Sequence, residues 1–231
     1  MSGPHLVVFD IGSTLVAGTA RHPAMRIAER LGLMADVRRG LNVLLMTRPL
    51  RSPREAASVA RAELGIDSPD LESEIEHVWS AQEREALPID GALAVLEALV
   101  ADGRRLALLS NIWHPYLASV EHHFGDFFAE HVAPELQLFS YRLGRMKPAV
   151  ALFAQLVDTA GVAADDAAMV GDSYATDLAP AIAHGMKTVW VLHRPEREVA
   201  SITGVMNGTE PAPSRTVATI AELTPDVVAS L

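Results

Sequence analysis

Four short apolar runs constrain the fold of this 231-residue chain more than any other feature. Each run ends at a polar or glycine-bearing cluster, and the four are His5 to Phe9, Arg105 to Leu109, Ala167 to Val170 and Thr188 to Leu192. Nearly continuous apolar runs of this length are typical of strands that are buried on both faces, as in a parallel sheet covered by helices. A fifth, weaker candidate covers Leu136 to Tyr141. We therefore expect a parallel β-sheet.

Helical patterns lie between these runs. They are Ala92 to Ala101 closed by Gly103, Ala149 to Ala160 closed by Gly161, and Leu178 to His184 closed by Gly185. Glycine just beyond a helix is an expected stop, because it adopts the left-handed backbone conformation at little cost. Strands that alternate with helices predict an α/β fold with a doubly wound, Rossmann-like parallel sheet.

Residues 16–88 interrupt this alternation. They contain no convincing strand and instead place Ala, Leu, Glu and Arg at helical spacing, for example from Pro53 to Leu64. We expect a helical subdomain at 16–88, inserted into a main domain formed by 1–15 and 89–231. Near the end of the chain, Thr203 to Ser214 is predicted to form an exposed loop before a final short strand and helix.

Composition limits the classes of function. The chain is 49% hydrophobic, which allows a sizeable core, and its formal net charge of −10 argues against general affinity for nucleic acid or anionic membranes. No cysteine is present, so disulfides, thiolate metal sites and cysteine nucleophiles are excluded. The first residues lack the pattern of a secretion signal and no apolar run is long enough to span a membrane. The cytoplasm is the expected compartment.

The residues that follow the predicted strands are chemically coherent. In an open parallel sheet the binding site lies at the carboxyl ends of the strands. Three groups of polar residues follow predicted strands: Asp10-Ile11-Gly12-Ser13-Thr14, Ser110-Asn111, and Gly171-Asp172-Ser173 with the nearby Asp177. A fourth group, Lys147-Pro148, follows the middle region of the chain. Each piece alone has an ordinary structural explanation, since Ser, Thr, Asn and Asp cap helices and turns. Together, and in their order along the chain, they resemble the four motifs of the haloacid dehalogenase (HAD) superfamily.

The resemblance implies a hydrolase in which Asp10 is the nucleophile and forms an aspartyl-enzyme that water then hydrolyses. It implies that Thr14, Ser110 and Asn111 bind the transferring phosphoryl group. Lys147 is expected to contact Asp10 and the phosphate at the positive end of a helix whose first turn contains Pro148. The alternative for Lys147 is a solvated surface position.

The resemblance further implies a Mg²⁺ cofactor. Its ligands would be Asp10, Asp172, Asp177 and the backbone carbonyl of Gly12, an oxygen-rich set of the kind that Mg²⁺ prefers. Asp172 is expected to bind more directly than Asp177. The alternative is that both carboxylates only stabilise the start of the following helix.

Position 12 departs from the family pattern, which for phosphatases is Asp-x-Asp-Gly-Thr. The second aspartate of that motif acts as general acid and base, a contribution of roughly 10² to 10⁴ in rate. Gly12 cannot supply it. Either the leaving group needs little protonation, or another side chain such as Ser13, Ser173 or His22 supplies the proton, or turnover is slow.

The helical insertion resembles the cap of the superfamily, which closes over the site. Its basic residues could contact an anionic substrate or form a solvated face: Arg21, Arg26, Arg48, Arg51 and Arg54. Trp113 and His114, which follow Ser110-Asn111, could line the pocket or pack in the core.

The resulting prediction is a Mg²⁺-dependent phosphatase acting on a small phosphorylated metabolite. Two alternatives stay open. A 2-haloacid dehalogenase needs neither metal nor leaving-group protonation, although the carboxylates of Asp172 and Asp177 would then repel the nucleophile's charge without purpose. The second alternative is a weakly active or non-catalytic protein that binds a phosphorylated ligand. The sequence does not indicate an oligomeric state.

Overall fold

A computed structural model describes residues 3–17 and 21–231 and shows an α/β fold built on a six-stranded parallel sheet. In chain order the strands are β1 (Leu6–Phe9), β2 (Val16–Ala17), β3 (Leu87–Pro88), β4 (Arg105–Ser110), β5 (Gln137–Phe139), β6 (Ala167–Gly171), β7 (Lys187–Val191) and β8 (Arg215–Val217). The sheet order is β5-β4-β1-β6-β7-β8, and every neighbouring pair is parallel. The predicted doubly wound, Rossmann-like fold class is confirmed.

Helices cover the sheet and form the insertion between β2 and β3. They are α1 (Pro23–Leu31), α2 (Ala35–Thr47), α3 (Pro53–Leu64), α4 (Leu71–Gln82), α5 (Ala92–Ala101), α6 (His114–His131), α7 (Ser140–Leu143), α8 (Val150–Ala160), α9 (Ala179–Ala183), α10 (Val199–Met206) and α11 (Pro225–Ala229). Short 3₁₀ helices cover Pro134–Leu136, Ala164–Asp166, Pro195–Arg197 and Ile220–Glu222, and a π-helical turn covers Tyr174–Leu178. Within the described residues, no helix is both long and apolar enough to cross a membrane.

The central strands are apolar because both of their faces are covered. All four residues of β1 have no exposed surface, and β6, with the sequence AAMVG, is buried throughout. Their small and branched side chains pack against helices on each side, which explains why uniform apolar runs, rather than alternating ones, predicted these strands. The four strong strand predictions are confirmed.

The two largest of three hydrophobic clusters organise the chain. The larger lies around the six-stranded sheet, and the smaller unites α1 to α4 with Trp113, which comes from the loop after β4. The boundaries predicted for the insertion, 16–88, stay a prediction. Its two ends, Val16 and Ala86, pack in the cluster of the sheet.

Several local predictions are corrected. The insertion does contain strand structure at its ends, because Val16 pairs with Pro88 and Ala17 with Leu87 in an antiparallel ribbon. Two-residue strands carry no periodic signal, and their partners lie far apart in sequence. The fifth strand is confirmed but stops at Phe139, after which the chain turns directly into α7.

Two element boundaries also differ from prediction. Helix α8 begins at Val150 and not at Ala149, so Pro148 lies before the helix and not in its first turn, and the Lys147–Pro148 peptide bond is cis. Helix α10 extends to Met206, so the first residues of the predicted loop at Thr203 are helical. The final short strand and helix, β8 and α11, are confirmed.

Candidate active site

The candidate site lies at the carboxyl edge of the sheet, where four adjacent strands end. Asp10 follows β1, Ser110 is the last residue of β4, Asp172 follows β6, and Arg194 comes shortly after β7. Because these strands are parallel and neighbours, their ends converge on one edge. The structure therefore brings together side chains that are as much as 184 positions apart in the sequence.

Asp10 is buried and held by three contacts. Its backbone N–H donates to the carbonyl oxygen of Val170 at 2.9 Å. One carboxylate oxygen, Oδ1, accepts hydrogen bonds from Ser110 Oγ at 2.9 Å and from Lys147 Nζ at 2.7 Å. Among the described residues no hydrogen bond reaches Oδ2. The carboxylate is thus oriented through one oxygen, and the other is available for reaction.

Lys147 bridges two of the acids. Its Nζ atom lies 2.6 Å from Asp177 Oδ1 as well as 2.7 Å from Asp10 Oδ1, and the side chain is almost fully buried. Burial opposes the charge of the ammonium group, but the carboxylates of Asp10 and Asp177 outweigh it and raise the pKa of Lys147 above 10.5. Lys147 is therefore a permanent cation between the two acids and not a solvated surface lysine.

Asn111 holds Lys147 in place. The Lys147 backbone N–H donates to Asn111 Oδ1 at 2.8 Å, and Asn111 Nδ2 donates to the Lys147 carbonyl oxygen at 3.0 Å. Both ends of the amide are thereby engaged. Contact between Asn111 and a phosphoryl group stays a prediction, while the observed geometry gives this residue a positioning role.

The three acids form one cluster. Asp10, Asp172 and Asp177 each offer a carboxylate oxygen, and the three oxygens lie within 4.8 Å of one another. We call these three residues the acidic cluster. Three oxygen donors this close match the ligand chemistry of Mg²⁺, which binds few carboxylates and retains several waters.

Electrostatics support the same conclusion. Burial, followed by the charge of Asp10, raises the pKa of Asp172 to about 6, even though Arg194 opposes the shift. Burial also raises the pKa of Asp177 to about 7, with Lys147 lowering it and Asp10 raising it. Carboxyl groups that resist ionisation because they are buried, and to a lesser extent because they lie near another acid, are stabilised in the ionised form by a divalent cation, so the acidic cluster fits such an ion.

The Asp177 side chain packs closely against the backbone of Gly171. The π-helical turn Tyr174–Leu178 directs Asp177 back toward β6, where the Ser173 N–H donates to Asp177 Oδ2 at 3.1 Å. A Cβ atom added at Gly171 would lie 2.4 Å from Asp177 Oδ2, far inside van der Waals contact. Glycine at position 171 is therefore what allows Asp177 to enter the cluster.

Asp172 is paired with Arg194, a residue that the sequence analysis missed. Arg194 Nη2 lies 2.5 Å from Asp172 Oδ2, and Trp190 Nε1 donates to the Asp172 carbonyl oxygen at 3.0 Å. The available signal was position, since Arg194 comes shortly after the end of β7, as Asp10 comes after β1.

The side chain of Thr14 lies inside the fold. Its side chain is fully buried, and its Oγ1 atom has no hydrogen-bond partner. Its contact with a phosphoryl group stays a prediction without geometric support. The predicted use of the Gly12 carbonyl as a metal ligand stays a prediction as well.

A cavity of about 360 Å³ opens above Asp10. The core contributes the acidic cluster, Gly12, Ser13, Ser110, Asn111, Lys147 and Tyr116, among others, and the helical insertion contributes Arg21, His22, Pro23, Met46 and Gln82. A Cβ atom added at Gly12 would meet nothing within 4 Å. The structure therefore leaves open space where the family pattern has its second aspartate.

The insertion is joined to the core beside this cavity. Trp113 Nε1 donates to Gln82 Oε1 at 2.9 Å, and Gln82 in turn donates to Glu85, which pairs with Arg26 at 2.8 Å. Trp113 both packs in the cluster of the insertion and lines the cavity. Sequence patterns give no sign of Gln82, because its role depends on the docking of α4.

The arginines of the insertion are mostly engaged elsewhere. Arg48 pairs with Glu63, Arg26 pairs with Glu85, and Arg21 pairs with Glu29. Of the five arginines named from the sequence, Arg21 is the one among the cavity-lining residues.

Comparison with known proteins agrees with this architecture. A model of the haloacid dehalogenase-like hydrolase family matches residues 4–185. No curated protein matches the chain.

Solved structures with the same fold include dehalogenases and phosphatases. A 2-haloacid dehalogenase from Pseudomonas syringae pv. Tomato DC3000 has a TM-score of 0.65 and 20% identity over 98% of each chain. A HAD phosphatase from Thermococcus onnurineus has a TM-score of 0.59 and 17% identity over 96% of each chain. A HAD family enzyme from Bacteroides thetaiotaomicron, in complex with magnesium and inorganic phosphate, has a TM-score of 0.53 and 16% identity, and covers 80% of this chain and 93% of its own. At these identities the likeness is one of fold.

Proposed function

The chain belongs to the haloacid dehalogenase-like hydrolase family, and from that premise we propose that it is a Mg²⁺-dependent phosphatase. Its substrate would be a small phosphorylated metabolite, hydrolysed through an aspartyl-phosphate on Asp10. The observation that carries the proposal is the acidic cluster, whose three carboxylate oxygens lie within 4.8 Å of one another.

Asp10 is suited to nucleophilic attack. Ser110 and Lys147 hold its Oδ1 atom, and Oδ2 would form a bond to phosphorus while the bond from phosphorus to the leaving oxygen breaks. Water would then attack the same phosphorus and release Asp10 and inorganic phosphate. Lys147 would stabilise negative charge on the phosphoryl group, since buried charge-assisted hydrogen bonds are strong.

Asp10, Asp172 and Asp177, with the Gly12 carbonyl, would hold the magnesium ion. When bound, it would offset repulsion between the nucleophile and an anionic substrate. Arg194 is also available to the site, since its Nε atom is buried and has no hydrogen-bond partner. We propose the cytoplasm as the compartment and, because of the charge of −10, neither a nucleic-acid nor a membrane partner.

A dehalogenase is the second candidate. Gly12 supports it, because displacement of halide from carbon requires no proton for the leaving group. The acidic cluster opposes it, since carboxylates without a metal would disfavour an ionised Asp10. We therefore place it second.

One assay separates the candidates. Phosphate release from an aryl phosphate is measured with and without Mg²⁺, beside halide release from 2-haloacids. The variants are Asp10→Asn and, as a matched control, Asp165→Asn, an exposed aspartate near the start of β6.

The proposal predicts Mg²⁺-dependent phosphate release that is lost in Asp10→Asn and retained in Asp165→Asn. Metal-independent halide release would instead establish the dehalogenase. Phosphate binding without turnover of any substrate would identify a non-catalytic ligand-binding protein.

A further inference from the structure

Tyr116 places a phenol in the cavity that contains the nucleophile. It lies in the first turn of α6 and lines the same cavity as Asp10 and Gly12. Its ring is partly buried and packs against both the cluster of the sheet and that of the helical insertion. The ring is therefore held from two sides at the junction between core and insertion.

The hydroxyl of Tyr116 is not used by the fold. Among residues 3–17 and 21–231, no side chain or backbone group makes a hydrogen bond with it. The other two tyrosines differ, since Tyr174 donates to the Pro211 carbonyl at 2.7 Å and the Tyr141 hydroxyl accepts from Arg142 at 2.8 Å. Tyr116 is only partly buried and lines the cavity, so its unpaired hydroxyl is available to a ligand there.

Electrostatics fix its protonation state. Burial, then the charge of Asp10 and that of Glu85, raises the pKa of Tyr116 to about 12. Tyr116 and Asp10 line the same cavity, so the charge of the nucleophile contributes to this shift. At neutral pH Tyr116 is consequently a donor, which is the state required of a general acid.

The other candidates for this task are placed less well. His22 is exposed at the edge of the cavity, at the start of α1. Ser13 and Ser173 line the cavity, but an aliphatic hydroxyl is a weaker acid than a phenol. Position 12 has space and no side chain.

We propose that Tyr116 is a catalytic residue that donates the proton to the leaving-group oxygen, the task for which Gly12 has no side chain. This inference rests on the proposed phosphatase function. When the bond between phosphorus and the leaving oxygen breaks, that oxygen takes the proton from the Tyr116 hydroxyl and leaves a phenolate. In the second half-reaction the attacking water gives a proton to the phenolate as its oxygen bonds to phosphorus. The bond between phosphorus and Asp10 breaks, and the original states of both side chains return.

The experiment compares leaving groups of different basicity. Values of kcat and KM are measured with Mg²⁺ for phosphate esters from an activated nitrophenol to a simple alcohol. The variants are Tyr116→Phe and the matched control Tyr141→Phe, which also removes one oxygen from a tyrosine. Circular dichroism and thermal unfolding verify that each is folded.

In Tyr116→Phe, kcat for the alkyl phosphate should fall by about 10²-fold, while the nitrophenyl ester, whose leaving group needs no proton, retains nearly its full rate. KM should remain unchanged for both esters. The double variant Tyr116→Phe/Gly12→Asp should recover the alkyl rate, because a carboxylic acid then occupies the open space. Tyr141→Phe should behave as the unmodified protein.

Two results overturn the assignment of Tyr116: an equal loss across the whole series, or no loss at all. Absence of Mg²⁺-dependent phosphate release by the unmodified protein overturns the proposed function itself, and this role with it. If Tyr116→Phe does not fold, 3,5-difluorotyrosine at position 116 provides the test. It should move the alkaline limb of the kcat profile to lower pH, and an unmoved limb contradicts the proposal.

Discussion

The Nζ atom of Lys147 lies 2.7 Å from Oδ1 of Asp10, and both side chains are buried. This contact determines how the acidic cluster is tolerated in the folded chain. Lys147 neutralises charge on two of the three acids, and Arg194 neutralises charge on the third. The three acids can therefore lie close together in the folded chain.

Replacement of Lys147 with methionine should reduce both activity and stability. Removal of one partner from a buried ion pair leaves charge uncompensated, and the expected cost is about 3–5 kcal/mol of unfolding free energy. Denaturant unfolding measures it, with the protein's other lysine, Lys187, changed to methionine as control. Lys187 is only partly buried and lies at the opposite end of the sheet, so its replacement should change the unfolding free energy little. Equal effects of the two substitutions would contradict the importance of the Lys147 contacts.

Stability without metal should depend on the protonation of Asp177. Its folded pKa of about 7 lies above the ordinary value of 3.8, so the folded chain holds more protons than the unfolded chain between these values. The contribution of Asp177 to stability is therefore greatest at low pH and falls as pH rises through this window.

The measurement is the difference in unfolding free energy between the unmodified protein and Asp177→Asn, in EDTA, at a series of pH values. As pH rises from about 4 to about 7, the unfolding free energy of the unmodified protein should fall relative to that of Asp177→Asn. Added Mg²⁺ should reverse the shift mainly at the upper end, where protons compete less for the carboxylates. A difference independent of pH would show that Asp177 has no raised pKa.

Substitution of Gly12 with aspartate should increase activity. The position has no positive φ angle and no atom within 4 Å of an added Cβ, so a Cβ atom can be added there without strain. With a carboxylic acid added beside the Tyr116 phenol, kcat for alkyl phosphates should rise, but by less than the roughly 10²- to 10⁴-fold that a first general acid contributes. Gly12→Asn, similar in size but unable to transfer the proton, is the control, and an equal response of the two variants would refute this explanation.

Gly171→Ala should disrupt the acidic cluster by displacing the Asp177 side chain. The added methyl would collide with the Asp177 side chain, and the expected loss of stability is about 1–3 kcal/mol, together with weaker Mg²⁺ binding. Gly125→Ala is the matched control, because its added Cβ approaches Glu121 Cβ at an ordinary 3.5 Å. Within α6 that change should stabilise by about 0.5–1 kcal/mol. Calorimetric titration with Mg²⁺ and thermal unfolding compare the two.

The strands of the sheet could be predicted because their burial on both faces leaves a simple apolar signature. The apolar pattern predicts an end of β5 beyond Phe139, because the buried residues Ser140 and Tyr141 of α7 continue the pattern after the strand has ended. Strands β2 and β3 could not be predicted. Their pairing depends on where the insertion enters and leaves the core, which short sequence windows do not contain.

Asp10 and Asp172 could be predicted to meet because the ends of parallel strands share an edge, whereas the approach of Lys147, which lies in the loop before α8, was expected from the family resemblance. Contacts that depend on the docking of helices could not. Tyr116 reaches the cavity only because α6 begins beside the insertion, and Asn111 proved to hold the Lys147 backbone. Local sequence indicates which side chains are present in a loop, but tertiary packing decides where each one points.

The short ribbon of β2 and β3 has an evolutionary consequence. By pairing Val16 with Pro88, it brings the two crossings of the chain side by side at the edge of the core. The helical insertion between β2 and β3 can be exchanged as one segment without interrupting a strand of the six-stranded sheet. Recombination or laboratory grafting at this ribbon could therefore replace the insertion residues that line the cavity while Asp10 and the other core residues of the site are retained.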